Sequence, residues 1–237
     1  MPGKYLKGAF VQFMPTFLVP LPNVVIFQYN PETITHTWTP AAPETSSGDN
    51  HPNPLAVKGL PGESFSFTLA MDANDMIADG SVVAQGLAEG TGIYSRLAAL
   101  EMLLYPTGSF TSNQLLGSVS SAISSALGGS APQTDPTVPQ YVMPTVLFIW
   151  GPERILPVRL TSLTITEKLY DALLLNPIHA EAQVGMSVLT PDEVTALSDS
   201  LKQVATVAYD FSQAFRQAMA IANLANAVES IIGMLPF

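Results

Sequence analysis

Residues 144–190 read PTVLFIWGPERILPVRLTSLTITEKLYDALLLNPIHAEAQVGMSVLT. An apolar run, Val146 to Trp150, ends at a Gly151-Pro152 turn. A second extended run goes from Ile155 to Glu167. A break follows at Asn176-Pro177, then a third run from Ala180 to Leu189. The third alternates without interruption: Ala182, Val184, Met186 and Val188 share one face, and Glu181, Gln183, Gly185 and Ser187 the other. A side-chain period of two puts one face on a core and the other toward solvent or a partner. Three such runs divided by turn residues predict consecutive strands of one sheet. The stretch carries no catalytic constellation; what it specifies is a surface.

The strand signal continues outward. Phe10, Phe13, Phe17 and Leu18 precede Val24-Val25-Ile26-Phe27, a run continuous enough to predict a buried strand. Asn30-Pro31 interrupts it. Ile34, His36 and Trp38 then alternate with threonines, a strand pattern. Residues 40–63 are Pro-rich and aperiodic, which predicts a long loop. In SFSFTLAM, residues 64–71, Phe65, Phe67, Leu69 and Met71 face one side, and Asp72-Ala73-Asn74-Asp75 ends the strand. Residues 92–104 predict a helix, with Ile93, Leu97, Leu100 and Leu104 at helical spacing and Pro106 as its stop. Residues 107–140 are a Ser/Gly-rich insertion in which Leu115, Val119, Ile123 and Leu127 suggest a weak amphipathic helix.

Past Thr190, Pro191-Asp192-Glu193 is a helix start: a Thr cap, Pro in the first position and acids in the first turn. The pattern stays helical to about Ile232. Its apolar stripe comprises Leu197, Leu201, Val204, Ala208, Phe211, Phe215, Met219, Ala222, Leu224 and Val228. Unbroken, it would reach roughly 60 Å at 1.5 Å per residue. That exceeds the core of a domain this size, so it is expected to break or to pack on other chains. The chain thus divides into a β domain, 1–190, and a C-terminal helical extension, 191–237.

Composition narrows the function. Charged residues make up 12% of the 237 residues, against 47% hydrophobic. A soluble monomer normally carries about a quarter charged residues, so part of the surface is expected to lie against other subunits. The net charge of −10 comes from 19 acidic and 9 scattered basic residues. That excludes wrapping a nucleic acid or binding an anionic membrane. With no cysteine, disulfide frameworks and thiolate chemistry are excluded. The first residues lack the apolar core of a signal peptide, and no apolar run is long enough for a membrane span. The expectation is assembly in the cytoplasm without membrane insertion.

Motif by motif, the chemistry falls away. Asp72…Asp79-Gly80 misses the calcium-loop spacing, with Met76 and Ile77 where an oxygen ligand and a glycine belong. The plain reading is carboxylates capping a strand end and the next turn. Gly90-Thr91-Gly92 lacks the preceding strand and third glycine of a dinucleotide fingerprint. His36, His51 and His179 share no metal spacing, and His179 is placed to hydrogen-bond the turn beside it. No catalytic, cofactor-binding or metal residue is assigned. An enzyme is not expected.

Four segments carry a family resemblance. They are Phe27-Gln28-Tyr29-Asn30-Pro31-Glu32-Thr33-Ile34, then Pro61-Gly62-Glu63 with Phe65–Leu69 and Asp72, then Leu147-Phe148-Ile149-Trp150-Gly151, and finally Leu156–Glu167 continued by Asn176–Glu181. In this order they resemble the tube-type proteins of contractile injection systems, which are phage-tail-like, and among these the baseplate hub adaptor. The resemblance spans about residues 10–190. It implies a tail-tube-like β-sandwich or barrel with one flanking helix, closed as a hexameric ring around a channel. It implies partners too: the tube or tube-initiator protein, the spike or hub protein, and baseplate wedge proteins. It implies no activity and no cofactor. Many such adaptors end in a peptidoglycan-binding LysM module, where this chain has its helix instead. The expected interface residues are Arg159, Glu167, Asn176, Glu181, Phe211 and Phe215. The polar faces of Leu156–Glu167 and Ala180–Leu189 are expected to line a channel or meet a neighbour. Two rival readings are the inner tube or tube initiator of the same machine, and a small-molecule-binding β-barrel.

Overall fold

The three runs of residues 144–190 form adjacent antiparallel strands at the centre of one sheet. A computed structural model describes residues 6–13, 22–43, 55–78, 82–106, 143, 145–195, 197 and 199–234. The strands are β1 (Ala9–Phe13), β2 (Pro22–Ile26), β3 (Ile34–Thr39), β4 (Ala42–Pro43), β5 (Val57–Lys58), β6 (Gly62–Asp72), β7 (Val146–Ile149), β8 (Ile155–Tyr170) and β9 (Pro177–Val188). Helices α1 (Ala73–Ala78), α2 (Val82–Thr91) and α3 (Tyr94–Glu101) lie between β6 and β7. Helices α4 (Pro191–Thr195) and α5 (Asp199–Met234) follow β9.

Seven strands pair in the order β2-β1-β7-β8-β9-β6-β3, all antiparallel. The sheet curls hard. Phe10 on β1 and Phe67 on β6 are four strand spacings apart, about 19 Å in a flat sheet. Their rings nevertheless stack with centroids 6.2 Å apart. Phe27 and Phe148 complete the cluster, at 5.6 Å from Phe67 in each case. The alternating residues of β6 and β9 point into this concavity, with Phe65, Phe67, Leu69, Met71, Ala182, Val184, Met186 and Val188 all buried. Charge at Met186 would therefore disrupt the subunit's own core before any contact between subunits.

A bulge sharpens the curl. Leu160 pairs with Met186 and Ser162 with Gly185, leaving Thr161 extra. An inserted residue bends a strand and shifts its phase. Leu156, Val158 and Leu160 face inward before the bulge, and Leu163 and Ile165 after it. Gly185 accommodates the bulge, because a Cβ there would sit 2.4 Å from the Ser162 hydroxyl.

The sheet does not close. β2 and β3 are its two edges, so the fold is mainly antiparallel β with appended helices, not a barrel. Where one flanking helix was expected from the sequence, the described residues between β6 and β7 form three. Asp72 caps the turn after its strand, as expected, its carboxylate accepting from the Asn74 amide at 2.8 Å; the helices α1 and α2 that follow were not expected. α3 is where residues 92–104 predicted it. Leu97 and Leu100 are its buried residues, and Ile93 and Leu103 are buried just beyond its ends, Leu103 in place of the expected Leu104.

Two further expectations change and a third holds. The Val24–Phe27 run is half exposed: Val25 and Phe27 are buried while Val24 and Ile26 face outward, as suits an edge strand. The ends of the 40–63 loop form a small ladder, Ala42 with Lys58 and Pro43 with Val57. The long helix does break, between α4 and α5. α4 starts with a capping box, its Glu193 carboxylate accepting from the Thr190 amide at 2.9 Å. The insertion 107–140, His51, Phe17 and Leu18 lie outside the described residues.

The Gly90-Thr91-Gly92 motif has a structural role. Gly92 sits at φ +59° with the Pro177 carbonyl only 2.3 Å from where a Cβ would stand. The Ile93 amide donates to that carbonyl at 3.0 Å. Gly92→Ala should destabilise the fold by about 2 kcal/mol or more through clash and left-handed strain. Gly90→Ala, which adds a Cβ in open space on a helix, should be stabilising by about 0.5–1 kcal/mol. Urea unfolding midpoints of the two variants check this.

Candidate interaction surface

The outer face of the sheet is built from hydroxyls. Cross-strand rows run Thr37–Ser64–Ser187–Arg159, Thr35–Ser66–Gly185–Ser162 and Thr68–Gln183–Thr164. β-branched and small polar residues suit a pleated, half-exposed surface. An open groove of about 770 Å³ lies on this face, lined by residues of β3, β6, β9 and the 29–33 connection, with Glu32 and Glu181 as its charges. Lys168 donates to Glu181 at 2.6 Å, and this holds the Glu181 carboxyl below its ordinary range.

At one end of the sheet the β8–β9 hairpin presents an apolar tip. Leu169, Leu173, Leu174 and Leu175 are exposed, Leu173 by 89%, with Tyr170 beside them. The loop is ordered by its own hydrogen bonds. The Asp171 carboxylate accepts from the Leu173 and Leu174 amides at 3.2 and 3.0 Å. The Asp171 carbonyl accepts from the Leu175 amide at 2.9 Å. Leu169 and Leu175 adopt φ of 57° and 56°, a conformation costing roughly 1–2 kcal/mol for a residue with a Cβ. Burying the four leucines would return on the order of 2 kcal/mol each.

At the other end α5 crosses the sheet. The Ser212 hydroxyl donates to the Ile155 carbonyl at 2.8 Å and accepts from the Ile155 amide at 3.0 Å, which mimics a ladder rung. Arg216 forms a two-pronged ion pair with Glu63, with Nη1 at 2.9 Å from Oε2, and lies over the Trp38 ring at 5.0 Å. Glu63 is buried and also accepts from His36 Nε2 at 2.8 Å. His36 stacks on Phe65 with ring centroids 4.2 Å apart. Burial lowers the His36 pKa below its ordinary 6.5, and Arg154 and Arg216 add to this. Glu63 pulls it upward but is already paired with Arg216. Neutral His36 is therefore the folded form, and its Nε2–H donates.

The expected interface residues scatter over these surfaces. Arg159 is exposed on β8 opposite Ser187. Glu167 and Glu181 lie on the hairpin, Glu167 beside the Tyr170 hydroxyl. Asn176 is half-exposed, and its side-chain amide donates to the Gly90 carbonyl at 3.0 Å, anchoring the hairpin to α2. Phe211 is exposed on α5, and Phe215 is half-buried in an open groove with Trp150 and Met219. His179 faces Asp72 at 3.4 Å, not the neighbouring turn, because its strand pairs with the end of β6. The leucine tip was overlooked, although Leu173-Leu174-Leu175 between two turn residues is an apolar run with no strand to bury it.

Among the described residues no group of three or more acidic or histidine ligands converges on one point. No helix there is long and apolar enough to cross a membrane. The molecule is thus a mainly antiparallel β protein with a curled, unclosed sheet and apolar surfaces at its two ends. No protein-family profile matches the chain, and no curated protein matches it.

His36 gives the site a pH dependence. Its folded pKa is depressed, so its contribution to stability is complete above about pH 6.5 and declines as pH falls below that value. Thermal unfolding of the wild type should lose stability between pH 7 and pH 5 more steeply than His36→Gln, which keeps a donor for Glu63 but cannot titrate.

Proposed function

We propose that this chain is a structural ring subunit of a contractile injection system baseplate, joining the inner tube to the spike hub. The observation that carries this reading is the placement of two unlike apolar surfaces at opposite ends of β8. The leucine tip lies beyond Tyr170, and α5 crosses at Ile155. Sixteen strand residues separate them, up to about 50 Å at 3.3 Å per residue. A connector between two different partners needs such a pair of faces.

Other features support the same reading. The open edges β2 and β3 can pair with neighbouring copies, which closes a ring and removes exposed edges. The hydroxyl rows suit a channel lining or a neighbour contact without strong charge. The tube or tube initiator would meet one end and the spike the other, with baseplate wedge proteins outside. A plain tube subunit would leave α5 without a role. A small-molecule barrel would need an enclosed cavity, whereas the grooves at Glu32 and Glu181, at Tyr105 and Leu163, and at Trp150 and Phe215 are open.

Native mass spectrometry of the full chain, alone and with its tube and spike proteins, tests the proposal. A six-membered ring is expected. The pair Leu173→Ser and Leu174→Ser should leave the far-ultraviolet circular dichroism unchanged and weaken assembly at least tenfold. A chain that stays monomeric at high concentration with and without those proteins overturns the reading.

A further inference from the structure

α5 carries a second apolar stripe that the lone chain leaves wet. Ala205, Ala208, Tyr209 and Ser212 are buried against the body. On the opposite side, Val204, Val207, Phe211, Ala214, Ala218 and Ile221 are all exposed, Ile221 by 70%. Successive members lie three and four residues apart in strict alternation, and the sequence continues the rule at Ala225, Val228 and Ile232. This is a heptad repeat, with Val204, Phe211 and Ala218 in the first core position and Val207, Ala214 and Ile221 in the second.

A period of 3.5 identifies the kind of partner. A straight helix turns every 3.6 residues, so such a stripe drifts by about 20° per heptad. It keeps facing its partner only when the partner is another helix supercoiled around it. A sheet or a flat protein surface imposes no such spacing. After Arg216 the described side chains Gln217 to Leu224 are all exposed, so this part of α5 runs clear of the body. An unpacked helical segment of this length is marginal in water and gains stability from packing.

The flanking residues identify the partner further. Gln203, Asp210, Gln217 and Leu224 border one side of the stripe, and Ala208, Phe215 and Ala222 the other. Asp210 is the single charge among them. A foreign helix selected by charge would find almost nothing to pair with, whereas identical copies meet with little repulsion. Val207 and Ile221 are β-branched in the second core position, which favours bundles of more than two strands. Ala214 and Ala218 let the axes approach closely.

We propose that α5 packs along this stripe against the same helix of neighbouring copies, as a parallel, in-register bundle of three or more chains. The inference rests on the chain being a subunit of a rotationally symmetric ring, which brings identical helices together in parallel. The stripe is rich in alanine and weak by itself, and ring closure supplies the effective concentration that makes it sufficient.

The absence of cysteine allows a clean test. Ile221→Cys places a thiol in the core of the bundle, and Asn223→Cys places an equally exposed one outside it. In the assembled full chain, mild oxidation should link Ile221→Cys subunits at least tenfold faster than Asn223→Cys subunits on a non-reducing gel. Equal rates in a particle that has the mass of a ring overturn this inference and leave the ring reading standing. A monomeric mass with no crosslink in either variant overturns both.

Discussion

The contact of Phe10 with Phe67 sets the shape of the molecule. Two rings that a flat sheet would hold about 19 Å apart lie 6.2 Å apart. Everything between them has to bend. The extra Thr161 on β8 and the bare Cα of Gly185 opposite it supply the bend. Phe27, Phe65 and Phe148 fill the inside of the curve, and their burial repays it at about 2–3 kcal/mol each. The curl also explains why a seven-stranded sheet with one inner face needs no second sheet above it. β1 and β6 act as each other's opposing layer.

A curled but unclosed sheet leaves backbone groups at its margins that must find partners. Side chains take the place of missing strands. Gln28 donates to the Asp72 carbonyl at 2.8 Å and accepts from the Asp72 amide at 3.0 Å, joining the β2–β3 connection to the end of β6. Ser212 does the same for Ile155 from a helix. Asn23 links Gln12 to the Ala99 carbonyl, tying β1 and β2 to α3. These clamps hold the helices to the sheet without continuing the ladder; β3 stays available along its outer side among the described residues, while on β2 the outward Ile26 carbonyl accepts from Arg96 at 3.3 Å.

Where a residue's role depends on near neighbours in the chain, the sequence reveals it. The alternation in Phe65–Met71 and Ala182–Val188 gave the core faces of β6 and β9, and Thr190 with Glu193 gave the start of α4. Position in the sheet is a long-range property, and there the pattern misleads. Val24-Val25-Ile26 looks like a strand buried on both faces, but half of it is exposed because among the described residues nothing covers the outer face at Val24 and Ile26. Asn176 reads as a chain break before Pro177, and nothing local reveals its partner Gly90, 86 residues away. The bulge could have been read directly: apolar residues fall on even positions through Leu160 and on odd ones from Leu163, with Thr161-Ser162 between. On α5 the apolar residues listed together in the sequence belong to two faces, and burial alone separates Ala208 from Phe211.

That separation bears on what the helix is for. A full side chain of valine, phenylalanine or isoleucine returns roughly 1.5–3 kcal/mol on burial, several times what an alanine methyl returns. A helix whose only task was to stabilise this chain would turn its largest apolar residues toward the sheet. α5 does the reverse. Its buried contact with the body uses Ala205, Ala208 and Ser212 and is fixed by polar clamps, with Tyr209 buried and Phe215 half-buried beside Trp150 as its large side chains. Val207, Phe211 and Ile221 face away from it. The leucine tip repeats the arrangement at the far end of β8, where Asp171 holds the loop in a strained conformation that keeps three consecutive leucines outward. In both places polar bonds within the chain hold apolar groups in water. With so little charge elsewhere to keep such a surface dispersed, burying these two surfaces in the proposed assembly would lower their energy.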